Sequence, residues 1–239
     1  MLEYETIEYN DYGRDFYGVC FTSKGELITV CGDTFNIHSH KKGLSRTSIS
    51  STIRAIFLTS ADMVYILKTN GDIVQAQLPG FENMERFLRV DYAIGITAIN
   101  DSVAIIAAAS SDTDTEITIY NMSTKMQRTH KIENTRLTSI CYEEEGAILA
   151  VDHERGILYK YRASVEEDTT VEIEWKCEGI DGAFAVCMDE DGVIFVAGNE
   201  RKIYIVNDGE TISQGLGHIH CTLSLTHFLF EMKLIGAHY

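Results

Sequence analysis

The chain has 239 residues, 45% of them hydrophobic and 23% charged, the balance of a folded water-soluble protein with enough length for a sizeable core. Its 36 acids against 20 bases give a formal charge of −16, which sets most of the surface against nucleic acid and anionic membranes. No run of about 18 uncharged apolar residues occurs, the first 33 residues hold Glu3, Glu5, Glu8, Asp11 and Asp15 where a secretory leader needs a basic start, and the six cysteines form no CxxC pair, so the expectation is a cytoplasmic or nuclear protein with buried free thiols and no disulfide framework.

In chain order, residues 2–10 alternate as an isolated strand, LEYETIEYN. A nine-residue pattern follows: CFTSKGELI at 20–28 returns as CYEEEGAIL at 141–149 and CMDEDGVIF at 187–195. Each copy is an apolar strand, a polar turn with Gly five residues after Cys, and a second apolar strand; the Gly serves a reversal that needs positive φ. The copies start 121 and 46 residues apart, which implies a unit of about 40 residues with intermediate members. IFLTSADMVYIL (56–67) and GITAINDSVAIIAA (95–108) are those members, and CTLSLTHFLFEMKL (221–234) is a shortened last one.

A third alternating segment follows each pair, at 35–39, 72–78, 116–122, 156–163 and 202–208, and a more polar fourth at 170–177 and 210–216. Four short strands per unit with Gly, Asp and Asn turns predict an all-β fold, a six-bladed β-propeller in one domain, 1–239, with blades starting near 17, 53, 93, 136, 182 and 219; seven blades is the alternative count. The last blade is short, so residues 2–10 are expected to complete it as its outer strand and remove two open edges. In this arrangement Cys20, Cys141 and Cys187 take equivalent places on strands that line the central channel, and Trp175, Tyr159, Tyr161 and Tyr204 pack between blades.

DTEITIYNMSTKMQ and RLTSICYEEEGAILAVDHERGILYKYRA resemble WD40 repeats, and DEDGVIFVAGNERKIYIVND is similar to both WD40 and NHL-type blades. Third strands here end in Tyr120-Asn121, Tyr161-Arg162 and Asn207-Asp208 where a regular WD40 repeat has Trp-Asp. The resemblance implies membership of the propeller superfamily.

Two basic groups are the candidate contact residues: His38, His40, Lys41, Lys42 and Arg46 in a stretch from Asp33 to Asp62 that has no acid between, and Lys125, Arg128 and Lys131, beside His130, in the third unit. Both belong to outer strands, where lysine and arginine also guard sheet edges. Asp152, His153, Glu154, Asn199 and Glu200 lie in turns after second strands, where a carboxylate array could hold a metal, although Asp and Asn there also bond their own backbone. No nucleophile, base and orienting group recur together, and neither cofactor nor resident metal is expected. These residues predict a non-catalytic platform that docks on a larger protein or ribonucleoprotein assembly, with no membrane or DNA partner. An RNA- or ribosome-binding factor using residues 38–46 and a metal-dependent propeller hydrolase are the alternatives.

Overall fold

The computed structural model of the chain describes residues 16–22, 24–39, 43–49, 52–59, 62–78, 82–100, 103–110, 113–143, 147–163, 171–188, 192–199, 202–207 and 209–216. They form five four-stranded antiparallel sheets, each from four consecutive strands. Sheet 1 holds β1 (Phe16–Phe21), β2 (Leu27–Cys31), β3 (Thr34–Ser39) and β4 (Gly43–Ser48). Sheet 2 holds β5 (Ile53–Leu58), β6 (Met63–Lys68), β7 (Asp72–Gln77) and β8 (Glu82–Arg89). Sheet 3 holds β9 (Ala93–Asn100), β10 (Val103–Ser110), β11 (Asp114–Asn121) and β12 (Gln127–Ile132). Sheet 4 holds β13 (Leu137–Glu143), β14 (Ala147–Asp152), β15 (Ile157–Ala163) and β16 (Val171–Cys177), and sheet 5 holds β17 (Ala185–Met188), β18 (Ile194–Ala197), β19 (Lys202–Asn207) and β20 (Glu210–Leu216). The first strands sit side by side in the order β1, β5, β9, β13, β17, so the sheets radiate from a shared axis as propeller blades do. The first five blade starts fall within three residues of the sequence expectation. Residues 2–10 and 219–239, to which the sequence reading assigns a sixth blade and its closure, lie outside the described residues.

The repeated hairpin has a common mechanism. Cys20 registers with Ile28, Cys141 with Leu149 and Cys187 with Phe195, eight residues on in each case, and Phe57 with Tyr65 in the same place of sheet 2. Gly25 and Gly192, five residues after their cysteines, have φ of 74° and 79°. Asp62 takes that place after Phe57 with φ of 58°. The turns match bond for bond: Gly25 N–H donates to the Thr22 carbonyl (2.9 Å) and Asp62 N–H to that of Thr59 (3.0 Å), while Thr22 Oγ1 accepts from Glu26 N–H (3.1 Å) and Thr59 Oγ1 from Met63 N–H (3.2 Å).

Between sheets the core is apolar. Ile28 and Ile37 of sheet 1 pack with Ile56, Ile66 and Val74 of sheet 2, and Phe57, Tyr65 and Leu67 with Ala93 and Ile96 of sheet 3. Further round, Ile117 and Ile119 pack with Ile148, Tyr159 and Tyr161 of sheet 4, and Leu149, Val151 and Leu158 with Val186, Val196 and Tyr204 of sheet 5. Phe87 meets Tyr65 and Tyr120 edge to face at 5.2 and 4.9 Å, and Tyr159 stacks on Tyr161 at 5.5 Å, so the aromatics pack as expected. Cys141, Cys177 and Cys187 are buried. Cys141 joins the cluster between sheets 4 and 5, and Cys187 packs with Phe195 and Ile203. A strand projects side chains from the two faces of its sheet, and those faces meet neighbouring sheets, so the channel is approached by the edge of the first strand and not by these thiols.

Second-to-third-strand turns share one end of the ring with the linkers between sheets and are bonded to them. Val90 N–H donates to the Gly71 carbonyl and Ile180 N–H to that of Gly156, both at 2.9 Å, and Ile49 N–H to that of Asp33 at 2.7 Å. Gly71 and Gly156 have φ of 84° and 63°, and a Cβ on either would strike the carbonyl oxygen of Val90 or Ile180. This linker face is thereby locked in backbone.

Candidate functional site

The basic candidates divide between two sheets with sheet 2 between them. His38 on β3 and Arg46 on β4 share the face of sheet 1 turned away from sheet 2, because His38 pairs with Leu44 and Asn36 with Arg46 in the β3–β4 register. His38 Nε2 lies 3.4 Å from Thr29 Oγ1. Burial, and then the Arg46 guanidinium, hold its imidazole below the ordinary value of 6.5, which favours the neutral form. His40, Lys41 and Lys42 lie outside the described residues.

In sheet 3, Lys125 occupies the β11–β12 turn with φ of 60°, and Asn121 Oδ1 organises that turn by accepting from Ser123 N–H (3.0 Å) and Thr124 N–H (2.9 Å). Arg128 and Lys131 stand on opposite faces of β12, Arg128 half-buried and Lys131 exposed. Lys131 Nζ is 2.8 Å from Asp114 Oδ2, a contact that raises the lysine and lowers the carboxyl relative to their ordinary values. His130, on the Arg128 side, is lowered by burial and then by Arg128. Charges that count as free cations in the sequence are thus partly matched or suppressed.

The turn carboxylates Asp152 and Glu154 are partnered within the fold. Buried Asp152 accepts from Arg136 N–H and Arg155 N–H, each at 3.1 Å through a different oxygen. Glu154 pairs with the Arg136 guanidinium, and His153 Nδ1 lies 3.2 Å from the Ala183 carbonyl. Among the described residues no group of three or more His, Cys, Asp and Glu is arranged to hold a metal ion. Glu143, the first of three consecutive glutamates, is tied to Lys160 at 2.9 Å, and 144–145, together with the acidic stretches 166–168 and 189–191, lies outside the described residues.

The linker face brings turn residues that the sequence singled out together with others that it did not. An open cleft there is lined by His153, Glu154, Arg155, Asp181, Gly182 and Asn199. Close by in the chain, Phe184 is 51% exposed, and Tyr92, in the linker from sheet 2 to sheet 3, is 75% exposed. The two linkers are the same turn: Ala93 N–H donates to the Val90 carbonyl at 3.4 Å and Ala183 N–H to that of Ile180 at 3.3 Å. The available signal was the parallel between Val90-Asp91-Tyr92-Ala93 and Ile180-Asp181-Gly182-Ala183.

No protein-family model matches the chain, and no curated protein matches it in sequence. Solved structures share its arrangement of sheets. The beta-propeller domain of Cps50 (Swd1) from Myceliophteria thermophila is similar with a TM-score of 0.67 and 11% identity, over 85% of this chain and 74% of that one. U3-55K gives 0.66 and 9%, over 87% and 66%, and virginiamycin B lyase from Staphylococcus aureus 0.65 and 9%, over 86% and 71%. At such identities the likeness shows fold alone, and the fold is the β-propeller.

Proposed function

We propose that this chain is a non-catalytic platform that docks on a larger protein assembly in the cytoplasm, through its linker face. The observation that carries this reading is the pair of exposed aromatics, Tyr92 and Phe184, on linkers already fixed by backbone hydrogen bonds. Exposed aromatic side chains on a rigid support give contact area at little ordering cost, and they are enriched among the residues that dominate protein interfaces. The likeness to solved propellers supports the fold and leaves the role to this chain's own residues, since the same fold in virginiamycin B lyase hosts an enzyme. Asp152, with both oxygens on backbone N–H groups, favours the platform over a metal-dependent hydrolase.

The decisive comparison is capture of partners from native lysate by wild type and by Tyr92→Ala/Phe184→Ala, at low and high salt, with and without nuclease. A protein lost from the variant, retained in high salt and insensitive to nuclease, is the expected result; a captured set identical for both proteins sinks the reading. The RNA- or ribosome-binding alternative uses His38, His40, Lys41, Lys42 and Arg46, with Lys125, Arg128 and Lys131 as a second contact, and requires nuclease-sensitive capture that weakens steeply with salt. Neutral His38 and the Asp114 partner of Lys131 reduce the charge it has to work with.

For the architecture, we infer a single domain of six blades over residues 1–239, with residues 2–10 as outer strand of the last. Deletion of 2–10 then lowers the melting temperature, and an unchanged midpoint rules the clasp out.

A further inference from the structure

One irregularity recurs at the start of the innermost strands. Ile53 pairs with Lys68 and Ala55 with Leu67, so Arg54 between them has no partner residue in β6. Thr138 is the extra residue between Leu137 and Ser139 in the same way, Ile94 between Ala93 and Gly95, and Tyr17 between Phe16 and Gly18. Sheet 5 repeats it: Phe184 N–H donates to the Ala197 carbonyl at 2.9 Å although Ala185 is the register partner of Ala197. Tyr17, Arg54, Thr138 and Phe184 stand three residues before Cys20, Phe57, Cys141 and Cys187. These are β-bulges, which leave one residue out of the ladder and re-aim its side chain.

The bulges surround the axis at the linker end. First strands lie side by side from β1 to β17, and each bulge sits where a linker enters its strand. The residues just before them, Ile53, Ala93, Leu137 and Ala183, are buried, whereas Arg54, Thr138 and Phe184 are exposed. One backbone irregularity thus carries Arg, Ile, Thr, Phe and Tyr, so the fold does not dictate the side chain at this place. Recognition can.

Arg54 gives this ring its charge. A guanidinium nitrogen donates to the Ala93 carbonyl at 3.1 Å, which holds the cation beside the linker that carries Tyr92. At the same end Arg89 pairs with Asp91 and Arg136 with Glu154, but Arg54 has no carboxylate partner among the described residues. The chain holds no acidic residue from 34 to 61, on either side of it. A guanidinium presents several N–H donors in a fork that fits a carboxylate, and the bond to Ala93 leaves most of them open.

We propose that the linker-side mouth of the channel reads an acidic segment of a protein partner: Arg54 receives a carboxylate of that segment, and Tyr92 on the adjoining linker receives the side chain next to it. This rests on the linker face being the docking face. Electrostatic complementarity chooses among partners more than it adds affinity, so the exposed aromatics hold the complex while Arg54 selects it. The formal charge of −16 works against any acidic segment that does not reach this cation.

Selection from a displayed library of random peptides tests it, with the full chain as bait in three forms: wild type, Arg54→Glu and Lys24→Glu. Lys24 is exposed in the β1–β2 turn, at the far end of the ring, and its variant makes the same change of charge. Wild type and Lys24→Glu enrich peptides with Asp or Glu beside an aromatic or aliphatic residue, and Arg54→Glu loses them. A synthetic copy of a recovered peptide binds wild type about tenfold more tightly than Arg54→Glu, and amidating its carboxylate side chain abolishes the difference. Enrichment of neutral or basic peptides, the same acidic set with Arg54→Glu, or no enrichment with wild type overturns the proposal. If Arg54→Glu melts lower than wild type, Arg54→Gln takes its place, since it keeps an amide donor for the Ala93 carbonyl and removes the charge. Lysate capture separates the two ideas: a partner lost from Tyr92→Ala/Phe184→Ala but held by Arg54→Glu keeps the docking face and removes its acidic ligand.

Discussion

Tyr92 adopts the backbone conformation of Gly182: the two residues hold the same place in equivalent linkers, with φ of 60° and 61°. Glycine is required in one because a Cβ at Gly182 runs into the Asn199 amide, whereas the other linker carries a bulky ring in the left-handed region with most of its surface in water. Left-handed φ costs a non-glycine residue roughly 1–2 kcal/mol, offset in part by the greater unfolded-state entropy of glycine. Tyr92→Gly is therefore expected to stabilise the fold by about 0.5–1 kcal/mol in urea unfolding while weakening partner capture. A variant that loses stability shows that the ring packs for the fold and not for a partner.

Gly209, with φ of 80°, lies under Trp175, and a Cβ there stands 3.3 Å from indole Cδ2. Gly209→Ala both strains the turn and pushes the ring. A loss of about 1–2 kcal/mol in chemical denaturation is expected, and no loss means the β19–β20 turn can relax away from sheet 4.

Tyr161 is fully buried, and its hydroxyl has no hydrogen-bond partner among the described residues; burial pushes the phenol well above its ordinary 10. Removing the oxygen in Tyr161→Phe keeps the ring against Tyr159 and relieves the unpaired group. The variant should gain about 1 kcal/mol, or some 2–4 °C in melting temperature. A drop would reveal a partner for that hydroxyl.

His38 and His130 both bind protons less readily folded than their ordinary 6.5, by burial and then by Arg46 and Arg128 respectively. The unfolded chain takes up protons first as pH falls, so stability present above about 6.5 declines as pH drops through that value and below. Melting temperature recorded from pH 7.5 to 5 should fall, and His38→Gln/His130→Gln should flatten the slope. An identical slope in the double variant assigns the effect to other groups.

Much of the fold was legible because the hairpin pattern constrains spacing as well as residue type. Asp62 shows how far that goes: five residues after Phe57, it stands where Gly25 and Gly192 stand, and aspartate tolerates the left-handed conformation better than most side chains. Tyr92 defeated the same reasoning, because a bulky aromatic contradicts local preference and no pattern announces it. The basic groups were legible as residues but not as charges. Lys131 meets Asp114, 17 positions earlier, only through the pairing of β11 with β12, and His38 becomes hard to protonate only once its sheet face is covered. For Cys141 and Cys187 the place on the strand was evident from the pattern, and the face each turns to came only with the packing of the sheets.

Each sheet is assembled from four neighbouring strands of the chain, and no strand is borrowed from a distant sheet among the described residues. Loop closure for every such sheet is short, so one blade can form its own hydrogen bonds before the next has left the ribosome. Order of synthesis and order of assembly coincide for this molecule, and a folding intermediate isolated during translation is expected to contain whole blades counted from the amino end.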